Sequence, residues 1–136
     1  MKKKNLQLMG AILFSLLLFT NCSKEQITLN RLAGDWTYSK IAVFGIQLDL
    51  VALNYKDATL HFDLCDDAAA RCTASQSLNG MVSNFQYDIT DKGATINLYN
   101  NNEIIHNYNI KSVNKNELIY SDTIASGIVA EFTLTR

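Results

Sequence analysis

The stretch Ile128-Val129-Ala130-Glu131-Phe132-Thr133-Leu134-Thr135 puts Ile128, Ala130, Phe132 and Leu134 on one side of an extended chain, and Glu131, Thr133 and Thr135 on the other. A period of two is the mark of a strand with one buried and one wet face. The same pattern recurs backwards through the chain. Leu118 and Tyr120 alternate with Ser121, and Ile104, Tyr108 and Ile110 with Asn107, Asn109 and Lys111. Ile96 and Leu98 alternate with Thr95, Asn97 and Tyr99, and Phe85, Tyr87 and Ile89 with Asn84, Gln86 and Asp88. Leu60, Phe62 and Leu64 alternate with Thr59, His61 and Asp63. Strands buried on both faces read as unbroken apolar runs, so alternation implies antiparallel pairing.

Turn chemistry fills the breaks. Asn79-Gly80, Asp91-Lys92-Gly93, Asn100-Asn101-Asn102, Asn114-Lys115-Asn116 and Ser126-Gly127 supply residues that tolerate positive φ, as tight hairpins require. No Pro interrupts a ladder. Ile27–Leu32 reads as a short helical turn ending near Gly34, and Asp35–Phe44 as the first strand. Residues 45–57 read either as a strand or, through Leu50, Leu53 and Asn54, as a helical face. The expected fold is all-β: an antiparallel up-and-down β-barrel of about eight strands, which removes exposed edges and leaves room for side chains or one small ligand.

The chain has 136 residues, enough for one domain. Its apolar content of 48% excludes a disordered chain. Residues 1–21 differ from the rest. They open on Lys2, Lys3 and Lys4 and continue into an apolar run densest from Ala11 to Phe19, the pattern of an export signal. Leu18-Phe19-Thr20-Asn21-Cys22 reads as a lipoprotein signal in which Cys22 is lipidated, the alternative being plain export with Cys22 a bystander. With three Cys in all, lipid on Cys22 leaves Cys65 and Cys72 as a pair. Stable anchoring takes more than one acyl chain, at about 0.8 kcal/mol per buried CH₂. The domain reading is signal peptide 1–21, lipidated Cys and polar tether 22–30, and barrel 31–136. Without the signal the chain carries nine basic against thirteen acidic residues, and no basic patch for nucleic acid.

Leu32-Ala33-Gly34-Asp35-Trp36 resembles the Gly-x-Trp motif that opens the first strand of lipocalins. Together with the ending Phe132-Thr133-Leu134-Thr135-Arg136, it makes the chain similar to small lipocalin-like lipoproteins of the Bacteroidota type. That resemblance implies a barrel end closed by Trp36 under a cation from Arg136 or Arg31. It implies an envelope protein anchored by lipid to the outer membrane, on its periplasmic or surface face. It also implies a binding module for a small apolar or amphipathic molecule. This chain is shorter than a lipocalin, so a shallower barrel is expected.

Cys65 and Cys72 read as a disulfide in an oxidising compartment. The alternative, a metal or redox site with His61, has a spacing that matches no zinc motif. Asp63, Asp66 and Asp67 read as a solvated loop, since the EF-hand spacing is absent. The candidate lining residues of a ligand site are Phe62, Tyr87, His106, Tyr108, Tyr120 and Phe132, with core packing as the alternative for each. No catalytic residue, metal or cofactor is assigned. His61 and His106 fall on opposite strand faces, and no nucleophile elbow or phosphate loop occurs. The expected function is therefore non-enzymatic: either small-molecule binding, or binding of an envelope protein by a filled barrel.

Overall fold

The computed structural model describes residues 23–136. Cys22 and the signal reading of 1–21 lie outside the described residues. Helix α1 (Lys24–Leu32) comes first. Nine strands follow: β1 (Gly34–Val43), β2 (Ile46–Leu48), β3 (Thr59–Phe62), β4 (Cys72–Leu78), β5 (Met81–Thr90), β6 (Thr95–Asn100), β7 (Glu103–Val113), β8 (Glu117–Thr123) and β9 (Val129–Thr135). All pairings are antiparallel, and all join chain neighbours apart from β1 with β3 and the β1–β9 ladder that closes the ring. The result is a closed eight-stranded barrel, with β2 hanging from β1 as a short hairpin partner. Among the described residues no helix is long and apolar enough to cross a membrane.

The strand count agrees with the sequence reading, but the members differ. The ambiguous segment 45–57 gives β2 and a run of turns outside the barrel. The eighth barrel strand is β4, which hydropathy does not reveal. Ala74 and Gln76 are its central inward residues, between Thr73, Ser75 and Ser77. Inward Ala leaves room for the rings of Phe62 and Tyr87, which meet edge-on at 4.9 Å.

The turns behave as their residues dictate. Asn79-Gly80 and Asn101-Asn102 hold positive φ in two-residue hairpins, and Asp91, Lys92 and Gly93 all sit at positive φ. A bulge at Ile105 shifts the β6–β7 register, pairing Leu98 with His106 but Tyr99 with Ile104. Ile104 was expected beside Tyr108 on the inner face. The extra residue turns it outward, where it is exposed.

The core is aromatic. Trp36, Phe62, Tyr87 and Tyr120 are buried with Leu60, Ile96, Leu98, Leu118 and Leu134. Strand β6 is buried on its outer face as well. There Asp88 accepts from Asn97 Nδ2 and from the Tyr99 hydroxyl, each at 2.8 Å. The Arg71 guanidinium covers the Tyr99 ring at 3.8 Å.

Helix α1 closes one end. Ser23 caps it, its hydroxyl accepting from Gln26 N–H at 3.1 Å. Leu29 and Leu32 plug the barrel. The stretch read as a tether is therefore mostly helix, because Leu29 has an apolar end-face to cover. Trp36 Nε1–H donates to the Leu32 carbonyl at 2.7 Å, and Arg136 Nη2 donates to the carbonyls of Arg31, Leu32 and Ala33. Of the two cations considered, Arg136 is the one over Trp36, at 3.9 Å. The Cys65–Cys72 disulfide is formed at this end, and Gln26 Nε2 donates to the Cys65 carbonyl at 2.8 Å.

Candidate functional site

The opposite end of the barrel is less complete. The β5–β6 ladder begins only at Gln86 and Tyr99, so the β4–β5 hairpin projects beyond it. The β7–β8 ladder stops at Asn109 and Ser121, although both strands continue outward. The β2–β3 loop folds partly over this end, with the Tyr55 ring 4.9 Å from that of Tyr38 and 6.0 Å from that of Phe132. A cavity of about 230 Å³ remains between β4, β5, β6 and β7, its wall including Gln76, Phe85, Leu98, His106 and Tyr108. A second cleft of about 260 Å³ opens at the β7–β8 seam, lined by Ile105, His106, Asn107, Asn109, Asp122 and Thr123. The broader grooves, of about 380 and 350 Å³, lie on the outer wall around Tyr99 and around Phe44.

The floor of the mouth is a polar chain inside an aromatic stack. Gln76 Nε2 donates to the Tyr38 hydroxyl at 2.8 Å, and the Tyr38 and Tyr120 hydroxyls are 3.0 Å apart. The Tyr108 and Tyr120 rings stack at 4.2 Å, and Tyr120 stacks on Phe132 at 5.1 Å. Burial pushes the hydroxyl pKa values of Tyr38, Tyr108 and Tyr120 well up, and that of Tyr87 to about 12. These phenols stay protonated, so they serve as neutral hydrogen-bonding groups rather than bases.

His106 bridges the seam. Its Nδ1 lies 2.8 Å from Asp122 Oδ2. The Asp122 side chain is only 9% exposed against 46% for His106, so the histidine is what satisfies the buried carboxylate. That hydrogen bond raises the His106 pKa, partly opposed by burial.

Of the six candidate lining residues, the structure brings His106 and Tyr108 to the mouth cavity. Phe62, Tyr87, Tyr120 and Phe132 are packed in the core beneath it. Sequence reasoning missed Gln76, Phe85, Leu98 and Asp122. Asp122 carried a signal, an acid two residues from Tyr120 and in phase with it on the inner face of β8. On the outer wall, His61 lies between Asp35 and Asp63. Asp66 and Asp67 are exposed, and among the described residues no group of three His, Cys, Asp or Glu is placed to hold a metal.

Compared with protein-family models and with curated proteins, the chain matches none.

Proposed function

We propose that this protein is an exported, lipid-anchored envelope protein whose barrel binds a small amphipathic molecule at its open mouth, without catalysis. The observation that carries the reading is the mouth cavity, where Phe85, Leu98 and the Tyr108 ring meet the polar groups of Gln76 and His106. Mixed walls of this kind fix a ligand by its apolar body and orient it by a few polar groups. The volume of about 230 Å³ suits a ligand smaller than a drug-sized one. Ser23 caps α1 at the closed end. A lipid on the adjacent Cys22 would therefore hold that end near the membrane and direct the mouth away from it.

Titrating the ¹⁵N-labelled full chain with 2-phenylethanol tests the reading. Saturable shifts at Gln76, Phe85 and Leu98 are expected, with the closed end around Trp36 unmoved. Shifts only on the outer wall, or none, overturn it. Mass spectrometry of the mature N-terminus tests the anchor, and an unmodified Cys22 removes it.

A second reading, a filled barrel that binds another envelope protein, is favoured by the apolar rim of the same end. Phe44 is 83% exposed and Met81 71%, with Ile46 and Val82 also exposed. Photo-crosslinking from position 44 in native membranes tests it. A single partner adduct supports it and no adduct removes it.

A further inference from the structure

The mouth cavity and the seam cleft meet at His106, which lines both. Its Nδ1 is held by Asp122, and among the described residues its Nε2 has no hydrogen-bond partner. The same protein shows what completes such a ring. On the outer wall His61 has Asp35 on Nδ1 at 2.7 Å and Asp63 on Nε2 at 2.9 Å, one imidazole between two carboxylates. His106 has the first carboxylate and lacks the second.

We infer that the mouth is a carboxylate site: a small acid with an aromatic or short aliphatic body binds with its carboxylate on His106 Nε2 and its apolar body against Tyr108, Leu98 and Phe85. The inference rests on the mouth being the binding site and specifies the ligand's chemistry. Three observations support it. The inner chamber is partly apolar and bounded in size, so it fits a ring or short chain rather than a long acyl tail. The outer chamber offers Asn109 and Thr123, polar groups that suit the solvated side of a carboxylate. Asp122 fixes the ring and favours its charged form, in which Nε2 carries a proton to donate. Asp122 acts as a positioning residue, since its carboxylate is taken up by Nδ1.

The groups facing His106 make the charge logic simple. Asp122 faces it from β8, and Tyr108 from its own strand, with ring centres 5.7 Å apart. From β4, β5 and β6 the cavity brings Gln76, Ser83, Asn84, Phe85, Leu98 and Asn100, none of which titrates. Carboxylate binding should therefore weaken as pH rises through the raised His106 value.

The test compares 3-phenylpropionate with 3-phenylpropanamide on the ¹⁵N-labelled full chain, following the imidazole nitrogens and the mouth amides by NMR. The expected result is saturable binding of the acid about tenfold tighter than the amide, as a charge-assisted hydrogen bond provides. The His106 Nε2 resonance should move while His61 does not, and the preference should shrink at high pH. His106→Gln should lose the preference for the acid over the amide, and Asp122→Asn should reduce it. Equal binding of acid and amide at the mouth overturns the carboxylate inference and leaves the mouth as a binding site. Absence of any mouth shift with either probe overturns both.

Discussion

The Arg136 guanidinium lies 3.9 Å from the centre of the Trp36 ring, joining the last residue of the chain to its first strand. The same guanidinium donates to the three carbonyls that end α1, where the negative end of the helix dipole lies. One cation thus ties together helix, first strand and last strand.

Trp36→Ala should cost about 3–5 kcal/mol, because the indole is fully buried and its loss removes both the Nε1–H bond to the Leu32 carbonyl and the ring beneath Arg136. Arg136→Ala should cost less, about 1–2 kcal/mol, from the lost cation–π contact and helix cap. Thermal unfolding followed by circular dichroism measures both. An unchanged melting temperature for Trp36→Ala would show that this end is not held as described. Shifts induced at Gln76 and Leu98 by 2-phenylethanol should survive Arg136→Ala, since those residues line the other end.

Gly93→Ala tests the seat of α1. Gly93 sits at φ +89°, and a Cβ there would stand 2.5 Å from Thr28 Oγ1 and 2.9 Å from the Lys24 carbonyl oxygen. The backbone conformation and the helix contact both oppose a side chain, so a loss of more than about 1 kcal/mol is expected in urea unfolding. Thr28→Ala in the same chain should recover only part of the loss, because the Lys24 carbonyl is backbone. Full recovery would mean that the threonine alone sets the fit.

The barrel could be read from sequence wherever hydropathy alternated cleanly, as in Ala130, Phe132 and Leu134, and wherever a turn demanded positive φ, as at Asn79-Gly80. Strand β4 escaped because its inner positions need small or polar groups, Ala74 beneath the rings and Gln76 on the Tyr38 hydroxyl. Ile104 was misplaced because a bulge leaves no mark in a period-two pattern. The site was half legible. His106 stood out as a polar residue on an apolar stripe, but its partner Asp122 lies sixteen positions away and meets it only across the seam. The cavity itself follows from where two ladders stop, which depends on strand lengths that alternation does not define.

Stability should depend on pH through His61. Its pKa is raised, chiefly by the hydrogen bond to Asp35, which burial opposes and the hydrogen bond to Asp63 reinforces. A histidine whose folded value exceeds its unfolded value of about 6.5 stabilises the fold fully below that value. The contribution is lost as pH rises through the raised folded value. Asp63 behaves oppositely. The Thr73 hydroxyl, and then His61, hold its carboxyl below the ordinary range, so its contribution disappears only as pH falls through the lowered value. The melting temperature should therefore decline as pH rises from about 6.5 through the raised folded value, by the few degrees typical of an exposed pair. His61→Asn should flatten this decline. His106→Gln separates the contribution of the mouth histidine, which has the same sign. A decline unchanged in His61→Asn would assign it to other groups.

Phe44 is strained as well as exposed. It sits at φ +51°, followed by Gly45 at φ +77°, in the tight turn from β1 to β2. A bulky residue rarely takes this conformation, whereas Asn takes it readily in such turns. The ring is 83% exposed, so it loses little packing on removal. Phe44→Asn should accordingly stabilise the isolated protein by about 0.5–1 kcal/mol. A side chain that costs stability where it stands points to use outside the fold. If the apolar rim binds a partner protein, the same substitution should abolish a partner adduct captured from a neighbouring rim position such as Ile46. Binding of 2-phenylethanol should stay unchanged, since Phe44 is not among the residues lining the mouth cavity. A destabilised Phe44→Asn would mean instead that the ring packs against the barrel, and would remove the argument for the rim.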